Sequence, residues 1–304
     1  MKPSNFKIVI ILTAAILGVS TSAIWIRLAM QTANNYTVGF SLFLAASRLI
    51  ISAIILLPTG YKIKINRINT KAYYYAIIAG ICLAGHFASW ISSLAFTSIV
   101  ASTTLVTTNP IWVALLSRFL FQEKLSKLTI FGIGISFAGG FLIALSNGNI
   151  NSGNNSLLGN GLALIGAIMA SLYIIFGTQA QKLGLSIGNY ITIAYSIAAI
   201  ALFPLPFLFD VRYTGYSAVV YLYIALMGVI SQSLGHTGFN WALRWISPTF
   251  VTLSILFEPI ISSILGIVVF QEIPSVAIFR GGLVLLLGVG IAVIGNKVRV
   301  DDSP

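Results

Sequence analysis

Charge is what this sequence has least of. Asp, Glu, Lys and Arg make up 8% of its 304 residues, about a third of the ~25% an ordinary soluble domain carries. So little water-facing charge cannot keep a globule dispersed, and lipid must solvate most of the surface. The single Cys82 has no partner within the chain, which excludes a disulfide-stapled secreted fold. No G-x-x-x-x-G-K-[ST] loop is present to cradle a nucleotide's phosphates, so ATP is not the energy source. Neither His86 nor His236 has a carboxylate at ligand spacing, so neither a metal nor another cofactor is expected. The long apolar runs contain no Asp, and only one carboxylate. That leaves a membrane acyl- or prenyl-transferase without its paired acids.

What is present is hydrophobic side chain, 58% of the chain, too much for a disordered or collagen-like polymer. Crossing the hydrocarbon takes about 20 apolar residues. Stretches of that kind fall at 8–29, 38–58, 72–94, 100–121, 128–146, 158–180, 186–209, 217–240, 248–270 and 274–295. They lack the period-two alternation of an outer-membrane barrel. The expected fold is an all-α integral membrane protein with ten transmembrane helices. The first stretch is too long for a signal-peptide core and lacks a small-x-small site before Trp25, so it reads as a retained anchor.

Lys and Arg number 17 against six Asp and Glu, a formal net charge of +11. In a soluble chain this would raise nucleic acid as a partner; here basic cytoplasmic loops account for it. With the N-terminus cytoplasmic, that side collects thirteen cations, among them Lys62, Lys64, Arg67, Lys124, Lys182 and Arg244. The opposite side keeps Arg27, Arg212 and Arg280. Both termini are then cytoplasmic, the 147–157 linker is external, and the location is the plasma or inner membrane.

The two halves answer each other. Asn109–Pro110 precedes Phe121–Gln122–Glu123 as Glu258–Pro259 precedes Phe270–Gln271–Glu272, every pair 149 positions apart. The same offset carries Gly132 onto Gly281 and Gly139 onto Gly288. With a one-residue gap, Gly85–His86 falls on Gly235–His236. This is an internal duplication, 1–146 and 158–304. Each copy holds five spans, an odd number, so the second enters the membrane inverted. Inverted repeats of this kind enclose a midplane site in secondary transporters.

Arg48 in the second span, Thr107–Thr108–Asn109–Pro110 leading to Gln122–Glu123, Asn240–Trp241–Ala242–Leu243–Arg244, Glu258–Pro259, Gln271–Glu272 and a glycine-rich last span carry a resemblance over nearly the whole chain. It resembles the drug/metabolite transporter superfamily, in particular EamA-type members with ten spans. The resemblance implies a structurally important Arg48 and export of amino acids or related metabolites. It is departed from at Asn109, where only the second half supplies the acidic residue.

Ionisable groups within spans are costly and so are candidate functional sites. Arg48 lies too deep to snorkel and is either a packing residue or a gating or substrate-binding one. Arg27 and Arg280, near span ends, are expected to snorkel. Glu258 is the one carboxylate inside a span: a proton-coupling group, a receptor for a substrate amine, or a partner for backbone loosened by Pro259. Pro110 and Pro259 would kink equivalent helices. His86, Trp90, Ser93 and Thr97 share one helical face, and Gln232, His236, Asn240 and Arg244 the matching one. Together with Asn109 they outline a candidate cavity. Of the tryptophans only Trp90 shares a face with intramembrane polar groups. Gly132, Ser136 and Gly140, with Gly288 and Ala292, read as intramolecular helix packing. Glu123 and Glu272 read as span-end caps, and Asn154–Asn155–Ser156 matches a glycosylation acceptor.

The function expected is a secondary transporter of a small organic metabolite by alternating access, embedded in lipid and coupled to protons or a counter-substrate. The alternatives are an integral-membrane enzyme or a channel-like facilitator, and the oligomeric state is left open.

Overall fold

In a computed structural model, the described residues are 3–60, 69–122, 125–145, 155–242, 245 and 254–301. Lys2, Lys62, Lys64, Arg67, Glu123, Lys124, Arg244, linker residues 147–154 and the segment 246–253 lie outside that description. Among the described residues every regular element is helical. Eight helices are long and apolar enough to cross a bilayer, and two shorter apolar ones, Lys127–Ile143 and Phe257–Phe270, occupy the other expected stretches.

In chain order the first span is α1 (Asn5–Ser20) and α2 (Ser22–Thr32), and the second and third are α3 (Val38–Leu56) and α4 (Thr70–Ser93). The fourth comprises α5 (Ile99–Val106) and α6 (Asn109–Phe121), followed by α7 (Lys127–Leu145), α8 (Ser156–Lys182) and α9 (Ile187–Leu202). The eighth is α10 (Ala218–Leu226), a π-helical segment Met227–His236, and α11 (Thr237–Ala242). Finally come α12 (Phe257–Phe270) and α13 (Val276–Asp301).

Local chemistry sets these boundaries. Thr37, Ser98, Asn155 and Ser186 each accept the backbone N–H three residues on, at 3.3, 3.0, 3.2 and 3.3 Å, and so cap α3, α5, α8 and α9. The duplicated Phe-Gln-Glu triplet has a structural role: Gln122 and Gln271 end α6 and α12 in left-handed conformation, φ 55° and 54°. Pro110 and Pro259 stand in the first turns of α6 and α12. Each begins a second helical piece there, where a missing N–H costs nothing, and neither kinks a continuous helix.

The interior is lined by small and hydroxyl residues such as Ala29, Ala45, Ser102 and Ser231, while large apolar ones such as Phe131, Phe141, Ile200 and Val268 face outward. With hydrocarbon outside, the helices gain by close backbone approach. The pairing of α7 with α13 displays this. A Cβ on Gly132 would meet Gly288 O at 2.6 Å, and one on Gly139 would meet Gly281 O at 2.6 Å. The seam is intramolecular and antiparallel. It uses Gly139 rather than Gly140, whose added Cβ would reach only the tip of Leu285.

Candidate functional site

A cavity of about 560 Å³ opens inside the bundle. Residues expected to be equivalent line it from both halves: His86 and His236, Trp90 and Asn240, Val106 and Ile255, Asn109 and Glu258. The two helix breaks supply the last pair, because each places a first-turn side chain against the open space.

His86 Nδ1 lies 2.9 Å from the carbonyl of Gly166 on α8. A carbonyl only accepts, so Nδ1 carries the hydrogen. The ring stacks on Trp90 at 5.9 Å and 7°. His236 meets the Phe87 ring edge-on at 5.7 Å, and Asn240 Nδ2 donates to the His236 carbonyl at 3.0 Å. Trp90 Nε1 and Asn109 Oδ1 are buried without a hydrogen-bond partner among the described residues. Among the described residues no three His, Cys, Asp or Glu side chains gather as a metal ion would require.

Arg48 does not line the cavity but builds its wall. Wholly buried, it donates to Ser22 Oγ at 2.9 Å and to Gln232 Oε1 at 2.8 Å, and its guanidinium sits 4.3 Å from the centre of the Phe87 ring. Gln232 is therefore a wall residue too, off the face it was expected to share with His236. The cause is the π-helical segment, whose i→i+5 turns break the stacking of residues four apart. Thr97 also leaves its expected face, because α4 ends at Ser93. Ser93 turns to Trp90 O and Ser102 Oγ, each at 2.6 Å. Trp25 stacks on Tyr223 and Trp112 donates to Thr108 Oγ1 at 3.2 Å, both away from the cavity.

One end is open. Ile174, Thr178, Gln181 and Lys182 carry the lining to the C-terminal end of α8, where Lys182 is exposed. Toward Thr97 the bundle is packed shut. There Arg27, expected to snorkel, is 5% exposed and donates to Thr97 O at 2.8 Å. Thr97 Oγ1 donates to Asn160 at 2.8 Å, and Glu272 accepts from Ile99 N–H at 3.2 Å. Arg27 lies deep because α2 runs on to Thr32, beyond the expected span end. Arg280 is exposed as expected.

Sequence reasoning missed Tyr173, Ser22 and the mouth. The mouth had a readable signal: Ala170, Tyr173, Ile174, Thr178, Gln181 and Lys182 keep helical spacing along the sixth span. Tyr173 was hidden by the general abundance of tyrosine near membrane interfaces.

The EamA-like transporter family model matches twice, at residues 6–145 and 157–294. The uncharacterized transporter YyaM of Bacillus subtilis (strain 168) is 25% identical over 244 residues, 78% of each chain. The uncharacterized transporter YxxF of the same organism is 24% identical over 225 residues, 72% of this chain and 71% of its own. A solved crystal structure superposes with TM-score 0.63 over 99% of this chain and 100% of its own, at 18% identity. That likeness is one of fold.

Proposed function

The chain belongs to the EamA-like transporter family, and from that premise we propose that it is a secondary transporter of a small organic metabolite working by alternating access. The cavity is its substrate site. Its transporter-named relatives point to transport rather than catalysis.

The observation that carries the mechanism is that equivalent residues occupy opposite environments. Ile174, at the open mouth, is 39% exposed, whereas Ile24, its counterpart 150 positions earlier, is 4% exposed. Their helices differ too: α8 is unbroken, while the first span is interrupted at Thr21, the counterpart of Ser171. A two-fold pseudosymmetric pair caught in two shapes is what an exchange between inward- and outward-open states requires.

Contacts that repeat themselves support the inversion. Ser136 Oγ donates to the Leu285 carbonyl at 3.2 Å across a separation of 149 residues, so a residue touches its own counterpart, as on an isologous two-fold. Gly85 faces Met169 as Gly235 faces Val19, both pairs related by the 150 offset.

With the basic loops cytoplasmic, both termini lie on the cytoplasmic side of the plasma or inner membrane and the open mouth beside Lys182 faces the cytoplasm. The family resemblance favours export of an amino acid or related metabolite. Glu258 and Arg48 are the candidates for coupling to protons or a counter-substrate, Glu258 in the cavity and Arg48 through the wall.

The test is single cysteines at Ile174 and Ile24 in a Cys82→Ala background, probed with an impermeant thiol reagent from each side of oriented vesicles. Ile174→Cys should react from the Lys182 side and Ile24→Cys, more slowly, from the other. A crosslink between Thr97→Cys and Asn160→Cys should silence Ile24→Cys and spare Ile174→Cys. Reaction at Ile24→Cys that ignores the crosslink, or simultaneous access from both sides, would overturn alternating access.

A further inference from the structure

The cavity's hydrogen-bonding groups are strongly unbalanced. Asn109 Oδ1 is a buried acceptor with no partner among the described residues. Glu258 adds a carboxylate from the first turn of α12. His86, its Nδ1–H given to Gly166 O, leaves Nε2 as an acceptor whenever the ring is neutral. Against these stand two donors on the wall, Trp90 Nε1–H, buried with no partner among the described residues, and the one N–H of a neutral His236 ring. Buried groups of this kind are costly to leave unpaired, and their balance favours a substrate with several N–H donors and fewer acceptors.

The charges select further. Glu258 is the carboxylate on the cavity wall. The nearby guanidinium of Arg48 is wholly buried behind the lining, held there by Ser22 and Gln232, so it is not placed to clamp a substrate carboxylate. Lys182 stands at the exposed mouth. The start of α6 offers no anion nest either: Pro110 has no N–H, and that of Ile111 goes to Thr108 O at 2.9 Å. The rest of the wall, with Leu83, Val106, Phe239 and Ile255, suits an apolar or aromatic body.

We propose that the cavity takes a small organic amine in its N–H-bearing cationic form, with an apolar or aromatic body, the ammonium donating to Glu258 and, once the Asn109 side chain turns into the cavity it lines, to Asn109 Oδ1. This rests on reading the cavity as the transport site. It distinguishes such an amine from a zwitterionic amino acid, which would bring a carboxylate with no receptor.

The experiment is a thermal-unfolding titration of the purified full-length protein with four compounds sharing one body. They are tyramine, its N,N,N-trimethyl derivative, tyrosine and 3-(4-hydroxyphenyl)propionate. Ligand bound only by the folded state raises the midpoint with concentration. Tyramine should raise it, and the trimethyl cation should bind at least tenfold more weakly because it has no N–H to donate. Tyrosine and the propionate should have little effect. Glu258→Gln and Asn109→Ala should each weaken tyramine about tenfold or more. Glu258→Asp, which keeps the charge, should keep the order of the four compounds even if affinity falls. Equal binding of the trimethyl cation, preference for tyrosine or the propionate, or no shift with any compound would overturn the proposal. Labelling exchange between Ile174→Cys and Ile24→Cys uses no ligand, so the failure of either reading leaves the other standing.

Discussion

The two buried arginines are spent differently. Arg48 fixes the wall between α3, Ser22 and the π-helical segment through a fork of two hydrogen bonds. Replacing Gln232 by Leu removes one acceptor and leaves that end of the guanidinium unpaired. The expected loss is about 2 kcal/mol or more, read as a lower unfolding midpoint, and Arg48→Lys, which lacks the planar fork, should fall in the same direction. Arg27 instead closes one end, through Thr97 O and its charge beside Glu272. Burial pushes the Glu272 carboxyl above its ordinary value, opposed by Arg27 and by the Ile99 N–H. Opening that end to water relaxes Glu272 toward the ordinary value, so opening releases a proton. Falling pH therefore holds the end shut, and rising pH through the closed-state value frees it. Labelling of Ile24→Cys should accelerate with pH beyond the reagent's own dependence, and Glu272→Gln should flatten that acceleration. An unchanged profile in Glu272→Gln would remove Glu272 from the closure.

Among the elements, the seam between α7 and α13 is the most exacting. A methyl group on Gly132 would collide with the backbone of Ala292 and Gly288, whereas one on Gly134 meets nothing within 4 Å. Gly132→Ala should destabilise by about 1–3 kcal/mol, and Gly134→Ala should leave the unfolding midpoint essentially unchanged. Much of this architecture was legible in the sequence. Apolar length marked the spans, and Asn109, Glu258, His86 and His236 stood out because a polar residue in an apolar run has few reasons to be there. Illegible were features that depend on backbone detail. Gln232 leaves the cavity through the π-helical turns, Thr97 through the end of α4, and Arg27 is buried because α2 extends to Thr32. Hydrophobic pattern fixes a helix's presence well and its last turn poorly. Tyr173 is illegible for another reason: an aromatic near a span end carries no signature separating a cavity wall from a membrane interface.

For the whole molecule, the proposal that matters most is the inversion, and two matching turns make it testable. At the end of α2, Asn34 N–H bonds Gln31 O and Asn35 N–H bonds Met30 O, with Asn34 at φ 46°. At the end of α8, Gly184 N–H bonds Gln181 O and Leu185 N–H bonds Ala180 O, with Gly184 at φ 101°. Every residue of the second turn is 150 positions beyond its counterpart in the first, so one local structure is written twice. Five intervening crossings would deliver the two copies to opposite faces of the membrane, whereas an even number would return them to the same face. Thr32 and Lys182 are exposed at these ends and are themselves counterparts. In a Cys82→Ala background, an impermeant thiol reagent given to intact cells should label Thr32→Cys and leave Lys182→Cys unlabelled until the membrane is permeabilised. Labelling of both from outside, or of neither, would mean parallel repeats. The antiparallel seam of α7 and α13 would then need another origin, and the different environments of Ile24 and Ile174 would no longer describe two states of one exchange. Opposite labelling keeps those observations under a single two-fold in the membrane plane, on which the paired cavity residues also lie.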